Sequence, residues 1–224
     1  MLLAALAVAP GLFLLSYFLA RDRLRPEPRH LVARVFFLGA VAALAAALLE
    51  GAVFRATGIT LEGGLTLSAL VAAGVIGVTE ETVKFLPVFL GVYRHVEFNE
   101  VLDGIIYAVA AALGFATVEN LVYVLGGGAA VAVGRAFLAV PGHAFFGATM
   151  GFNMGMAKFA GAKETLWLVS GIGLAALAHT IYDVLALSQG PLALAVVPLV
   201  IVLWRRAMAQ TRVARAMDDR QGAP

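Results

Sequence analysis

Residues Leu65–Val92 read LTLSALVAAGVIGVTEETVKFLPVFLGV. The run is long enough to cross a bilayer, which takes about 20 mostly apolar residues. Yet Glu80, Glu81 and Lys84 stand inside it. Nothing in a hydrocarbon layer solvates a carboxylate. Intramembrane charges face a protein interior or a water-filled cavity, and they mark function by default. The stretch therefore predicts an embedded helix and a polar site among the helices around it.

The rest of the chain agrees. Of its 224 residues, 62% are hydrophobic and 13% charged, with a mean hydropathy of +0.93. Soluble domains carry about 25% charge. The fold class expected is all-α: a polytopic transmembrane helical bundle forming one domain over 1–224. A catalytic core would lie at about 65–190, with a cytoplasmic tail at 210–224. Seven apolar runs qualify as spans: Leu2–Ala20, Leu31–Phe54, Leu65–Val92, Val101–Leu125, Ala129–Phe159, Thr165–Ser188 and Leu192–Ala209. Gly126–Gly127–Gly128 reads as a tight turn between the fourth and fifth, and Asp218–Pro224 as a frayed tail. A formal net charge of +2 gives no reason to expect a nucleic-acid partner. Cys is absent, which excludes disulfides, thiolate metal sites and a Cys nucleophile.

Basic residues set the orientation. Arg21, Arg23, Arg25, Arg29, Arg94, Lys158, Lys163, Arg205, Arg206, Arg212, Arg215 and Arg220 fall on one set of connections, and only Arg55 and Arg135 on the other. The positive-inside rule makes the first side cytoplasmic, with the N-terminus outside and the C-terminus inside. The first run is followed rather than preceded by arginines, which suits an anchor and not a cleaved signal peptide.

Intramembrane polarity concentrates in four consecutive runs. The third has Glu80, Glu81 and Lys84. The fourth has Asp103 and Glu119–Asn120, the fifth Arg135, His143 and Asn153, and the sixth His179 and Asp183. Four helices around a polar cavity are expected, with three packing beside them. Glu80 and Lys84 are spaced i,i+4, as are His179 and Asp183, so each pair shares a helix face. A carboxylate one turn from an imidazole can orient it and select its tautomer. Glu80 and Glu81 diverge by about 100° around the helix. One would face the cavity while the other pairs with Lys84 or a neighbouring helix. Pro87 and Pro141 each remove a backbone donor near the site. Gly147, Gly151 and Gly155 form a small-xxx-small ridge for close helix packing.

Other polar residues have plainer readings. Asp103 reads as a helix cap, Arg135 as interfacial, and Asn153 as an interhelical hydrogen bonder. Glu50, near the outer end of the second run, would reach the interface.

Five segments, in order, resemble the PrsW family of intramembrane proteases. They are EETVKFLP at Glu80–Pro87, HVEFNEVLDGIIYA at His95–Ala108, GFATVENLVY at Gly114–Tyr123, RAFLAVPGHAFFG at Arg135–Gly147 and HTIYD at His179–Asp183. Together they cover about half the chain. The family is more distantly related to type II CAAX prenyl endopeptidases and bacteriocin-processing proteins. The resemblance implies a multi-pass protein of a bacterial-type plasma membrane. It implies an endopeptidase that cuts a single-pass membrane protein, such as an anti-sigma factor in stress signalling. Site residues carried over by matching position are Glu80, Glu81, Glu119, Asn120, His143, His179 and Asp183. Where the CAAX enzymes tend to have Asn in the last motif, this chain has Asp183.

Two mechanisms suit these residues. In one, no cofactor is required. Glu80 or Glu81 takes a proton from water, His143 and His179 donate hydrogen bonds to water or oxyanion, and Asp183 orients His179. Lys84 balances the other glutamate, and Glu119–Asn120 completes the shell. In the other, zinc is held by His143 and His179 with Asp183 or Glu119, and another Glu is the base. HExxH is absent. Relatedness to the CAAX enzymes favours the first. A proton-coupled carrier would use the same residue types, but no inverted repeat is evident. A catalytically silent membrane binding protein is the remaining alternative. A retinal protein needs a lysine in the last span, which has none, and haem leaves both glutamates unexplained.

Overall fold

The structure, a computed structural model, describes residues 2–22, 25–61, 64–188 and 190–221, with Leu2 and Gln221 as backbone only. Arg23, used in the orientation argument, and 222–224 of the expected tail lie outside the described residues. The described residues form seven α-helices and no strand: α1 (Leu2–Leu19), α2 (Arg29–Thr57), α3 (Leu67–Gly91), α4 (Val101–Phe137), α5 (Ala139–Lys158), α6 (Glu164–Leu187) and α7 (Val196–Gln221). Single 3-10 turns at Gly161–Lys163 and Pro191–Ala195 lead into α6 and α7.

Four helical stretches are long and apolar enough to cross a membrane by length and composition: Arg29–Thr57, Val101–Lys158, Gly161–Leu187 and Pro191–Arg220. The second contains both α4 and α5. Leu3–Leu19 is shorter, and α3 carries Glu80, Glu81 and Lys84. Large apolar side chains cover the outside: Phe13, Phe37, Leu48, Leu67 and Leu90 are all exposed. Contiguous apolar surface of that kind marks a membrane or protein contact.

Helix α4 is the axis of the fold. Every residue from Val101 to Ala116 is buried, and α1, α2 and α5 pack around it. Glycine makes this possible. A Cβ on Gly104 would strike the backbone of Gly151 and Gly155, and one on Gly147 would come within 2.9 Å of the Ala108 carbonyl. The predicted ridge on α5 is thus the seam that brings two antiparallel helices to backbone contact. Gly39 against Ala111, and Gly114 against Phe36, do the same for α2 and α4. Asn153 is buried on the side of α5 that meets Gly171 of α6, but its amide donates to the Thr149 carbonyl of its own helix at 2.8 Å, not across helices as expected.

The glycine triplet is not the tight turn expected. The helix runs through it with one break at Gly128, whose φ of 74° and ψ of −162° suit only glycine. A second break at Leu138 divides the predicted fifth run and starts α5. The reversal is spread over a helical segment between them. Pro141 falls in the first turn of α5, where its missing N–H costs nothing. Pro87 lies near the end of α3, which stays helical through it.

The N-terminus of α4 is capped from two directions. Asp103 accepts from the backbone N–H of Asn99 at 2.7 Å and of Glu100 at 2.6 Å, the cap expected of it. Asp218 of α7 accepts from Val101 at 2.8 Å and Leu102 at 3.0 Å. The expected frayed tail is therefore structured through Gln221, with Asp218 buried. Glu27 receives the Tyr107 hydroxyl. Burial, then a hydrogen bond with Asp103, pushes the Glu27 carboxyl up to about 9. Burial also raises Glu100 to about 7, although Arg25 pairs with it at 3.3 Å.

Candidate active site

Helices α3, α4, α5 and α6 bring the sequence-predicted residues together around a cavity of about 510 Å³. Behind the cavity-lining Glu80 lies Lys84, whose side chain is fully buried. Its Nζ donates to Glu80 Oε2 at 2.9 Å and Glu81 Oε1 at 2.8 Å, and meets His143 Nδ1 at 2.9 Å. The Phe115 ring lies 4.0 Å from Nζ. An ammonium has protons only, so His143 Nδ1 accepts and its proton sits on Nε2. That Nε2–H donates to Glu119 Oε2 at 2.8 Å. Arg135 Nη2 lies 2.9 Å from the same oxygen.

The two adjacent glutamates differ as their angular separation requires. Both reach Lys84, but only Glu80 lines the cavity, and Glu81 is wholly enclosed. Glu81 Oε1 also meets His179 Nδ1 at 2.9 Å. The carboxylate that orients His179 is therefore Glu81. Asp183, expected in that role, has Oδ2 3.6 Å from His179 Nε2, beyond hydrogen-bond distance. His179 Nε2 also lies 3.8 Å from Glu80 Oε2 and faces the cavity between the two carboxylates. Phe146 stacks on the His179 ring with centroids 4.8 Å apart, fixing its plane.

Three positions depart from the sequence reading. Arg135, expected at the interface, turns inward to Glu119 and donates through Nε to Asn120 Oδ1 at 2.9 Å. Asn120 turns away from the cavity, giving its amide to the Ala7 carbonyl of α1 at 2.7 Å. It supports Arg135 rather than completing the cavity wall. Glu50 of α2, expected at the interface, lines the cavity. A polar residue near the end of an apolar run looks interfacial in any sequence. Only the inward face of α2 reveals otherwise.

The donor types suit zinc. One atom each from Glu80, Glu81, His143 and His179 converges within 4.8 Å. The arrangement does not suit it. Lys84 holds three of the four donors, and both nitrogens of His143 are engaged. In the alternative set, Glu119 meets His143 at Nε2, the ring nitrogen opposite the one that meets Lys84. A cation already fills the point of convergence, so a divalent ion fits only if Lys84 leaves.

The profile of the family described as "PrsW family intramembrane metalloprotease" matches residues 27–205. The chain is 33% identical over 215 residues to "Protease PrsW" of Bacillus subtilis, covering 96% of each. It is 35% identical to the protein of the same name from Geobacillus kaustophilus, covering 99% of this chain and 96% of that one. The Clostridioides difficile protein of that name is 31% identical over 89% of this chain and 86% of its own. No solved structure matches the chain. A bundle of apolar helices enclosing Glu80, Glu81, His143 and His179, matched over nearly its whole length by these relatives, belongs to the PrsW family of membrane proteases.

Proposed function

We propose that the chain is an intramembrane endopeptidase that hydrolyses a peptide bond of a single-pass membrane protein, with Glu80 as general base. The observation that carries this is the inequality of the two glutamates. Glu80 faces the cavity while Glu81 is sealed behind it, holding Lys84 and His179.

Glu80 takes a proton from a cavity water as the water oxygen attacks the scissile carbonyl carbon. The carbonyl π pair moves onto oxygen. His179, its Nδ1–H given to Glu81, carries a second proton on Nε2 and donates it as a hydrogen bond to that oxyanion. Collapse of the tetrahedral species expels the amine, which takes back the proton from Glu80. Lys84 holds both glutamates and His143 in register throughout. Glu119 and Arg135 fix the far side of His143. No cofactor enters this scheme, and Lys84 at the convergence of the donors supports that reading.

The same proposal covers topology. Seven helices cross a bacterial plasma membrane with the N-terminus outside and the C-terminus cytoplasmic, following the basic residues named above. Glu119 lies 18 residues into α4, about 27 Å from its first residue at helical rise. The cavity then opens toward the outer face, and the cut falls near the outer end of the substrate's span. An anti-sigma factor is a substrate of the right architecture. Its helix must unwind first, because an intact helix shields its carbonyls. The test is reconstitution with a single-pass candidate substrate and mass spectrometry of the products. Cuts confined to the cytoplasmic juxtamembrane segment would refute the outward opening, and no cut with any such substrate would refute the protease reading.

A further inference from the structure

We infer that Glu50 is a specificity-determining residue that receives a basic side chain of the substrate, Lys or Arg, beside the scissile bond. The inference rests on the endopeptidase reading of the cavity and adds the chemistry of what the cavity selects.

Each carboxylate around the cavity has a counterpart except this one. Glu80 and Glu81 share Lys84, and Glu119 has Arg135 and His143. Asp183 has His179 at the ion-pair distance of 3.6 Å, although its Oδ2 also lacks a hydrogen-bond partner. Glu50 has no Lys, Arg or His nitrogen within 4.0 Å among the described residues, and its Oε1 is buried with no hydrogen-bond partner. Arg55, on the next turn of the same helix, folds back over Gly51 instead. A carboxylate oxygen removed from water without a partner is costly. Glu50 lines the cavity, so a substrate cation entering there can supply the missing counterpart.

The walls suit a long basic side chain. Phe54, Leu61, Tyr123 and Tyr182 line the cavity together with Glu50. Apolar and aromatic surfaces of this kind take the methylene stem of Lys or Arg while its charged head seeks the carboxylate. Glu50 makes no hydrogen bond to Glu80, Lys84, His143 or His179. It therefore acts on which peptide is held, not on the proton transfers. An acidic or neutral substrate residue leaves Glu50 orphaned, so discrimination comes from loss as well as gain.

The test uses the full-length protein in detergent with a set of single-span peptides, each carrying one Lys at a different position around the cut. Wild type should cleave one register of Lys peptide with a kcat/KM about tenfold to a hundredfold above the all-neutral parent, the range of a hydrogen bond to a charged partner. Glu50→Gln should bring that ratio to about one, chiefly through KM. Glu50→Lys should turn the preference toward an Asp peptide. A parallel measurement of peptide binding to the Glu80→Gln protein, by fluorescence anisotropy, should show the same Lys preference and its loss in the Glu50→Gln/Glu80→Gln double variant. Cleavage with no Lys preference at any position, or a preference that survives Glu50→Gln, would overturn the assignment of Glu50. Lys-selective, Glu50-dependent binding without cleavage by wild type would keep Glu50 and sink the endopeptidase reading instead.

Discussion

Lys84→Met removes one charge and little volume. Nζ holds two carboxylates at 2.9 and 2.8 Å, and all three side chains are nearly or fully out of contact with solvent. Removing one partner of a buried ion pair costs about 3–5 kcal/mol, because the charge left behind has neither water nor a counterion. The lost ring contact with Phe115 adds about 1 kcal/mol. Met is close to Lys in shape, so a cavity term is small. The terms total about 4–6 kcal/mol, so the expected fall in the unfolding equilibrium is about three to four orders of magnitude, at about 1.4 kcal/mol per tenfold. Trp167 and Trp204 give a fluorescence signal for denaturant titration in mixed micelles. The variant also frees the three donors that Lys84 holds, Glu80, Glu81 and His143, beside His179. Zinc should then raise the midpoint of Lys84→Met and leave wild type unmoved. An unchanged midpoint in Lys84→Met, or one zinc bound per wild-type chain with Lys84 intact, would refute the reasoning.

Glu80→Gln should abolish cleavage, while Glu81→Gln should reduce it strongly and also lower stability, because Glu81 is the enclosed partner of both Lys84 and His179; activity and unfolding midpoints measured together separate the two. Stability should fall as pH rises through about 7 and then about 9, the values to which burial lifts Glu100 and Glu27. The folded chain holds protons there that the unfolded chain has released, so the slope is negative. Glu27→Gln should remove its upper part, and an unaltered slope would exclude Glu27 as the source. Single cysteines in this Cys-free chain should label from outside at Gly127 and from inside at Ala160; the reverse pattern would invert the proposed topology.

Much of this was legible because the physics was local. Apolar runs gave the helices, and glycines four apart gave the α4–α5 seam. The i,i+4 spacing put His179 and Asp183 on one face. Sequence spacing does not say which partner another helix will supply, however. Glu81 of α3 took the hydrogen bond to His179 that Asp183 was expected to make. Arg135 and Glu50 looked interfacial because each lies near the end of an apolar run. Their inward direction depends on how α2 and the helical segment before α5 pack. The glycine triplet misled for a related reason. A glycine permits a turn without requiring one, and here only Gly128 leaves the helical region.

The cap on α4 also bears on how the protein is made. Asp218 closes N–H groups that lie 117 and 116 residues before it in the chain. At a synthesis rate of roughly 5–20 residues per second, that is an interval of roughly 6 to 23 s. During that interval the start of the central helix has only its own capping box, Glu100 and Asp103, to hold it. The fold around the candidate site is therefore fully fastened only after residue 218 has left the ribosome. An incompletely translated copy carries Glu80, His143 and His179 but lacks the final fastening of the helix that bears Glu119. Biogenesis thus has a built-in order, with the residues of the candidate site made first and the helix that carries Glu119 fastened last.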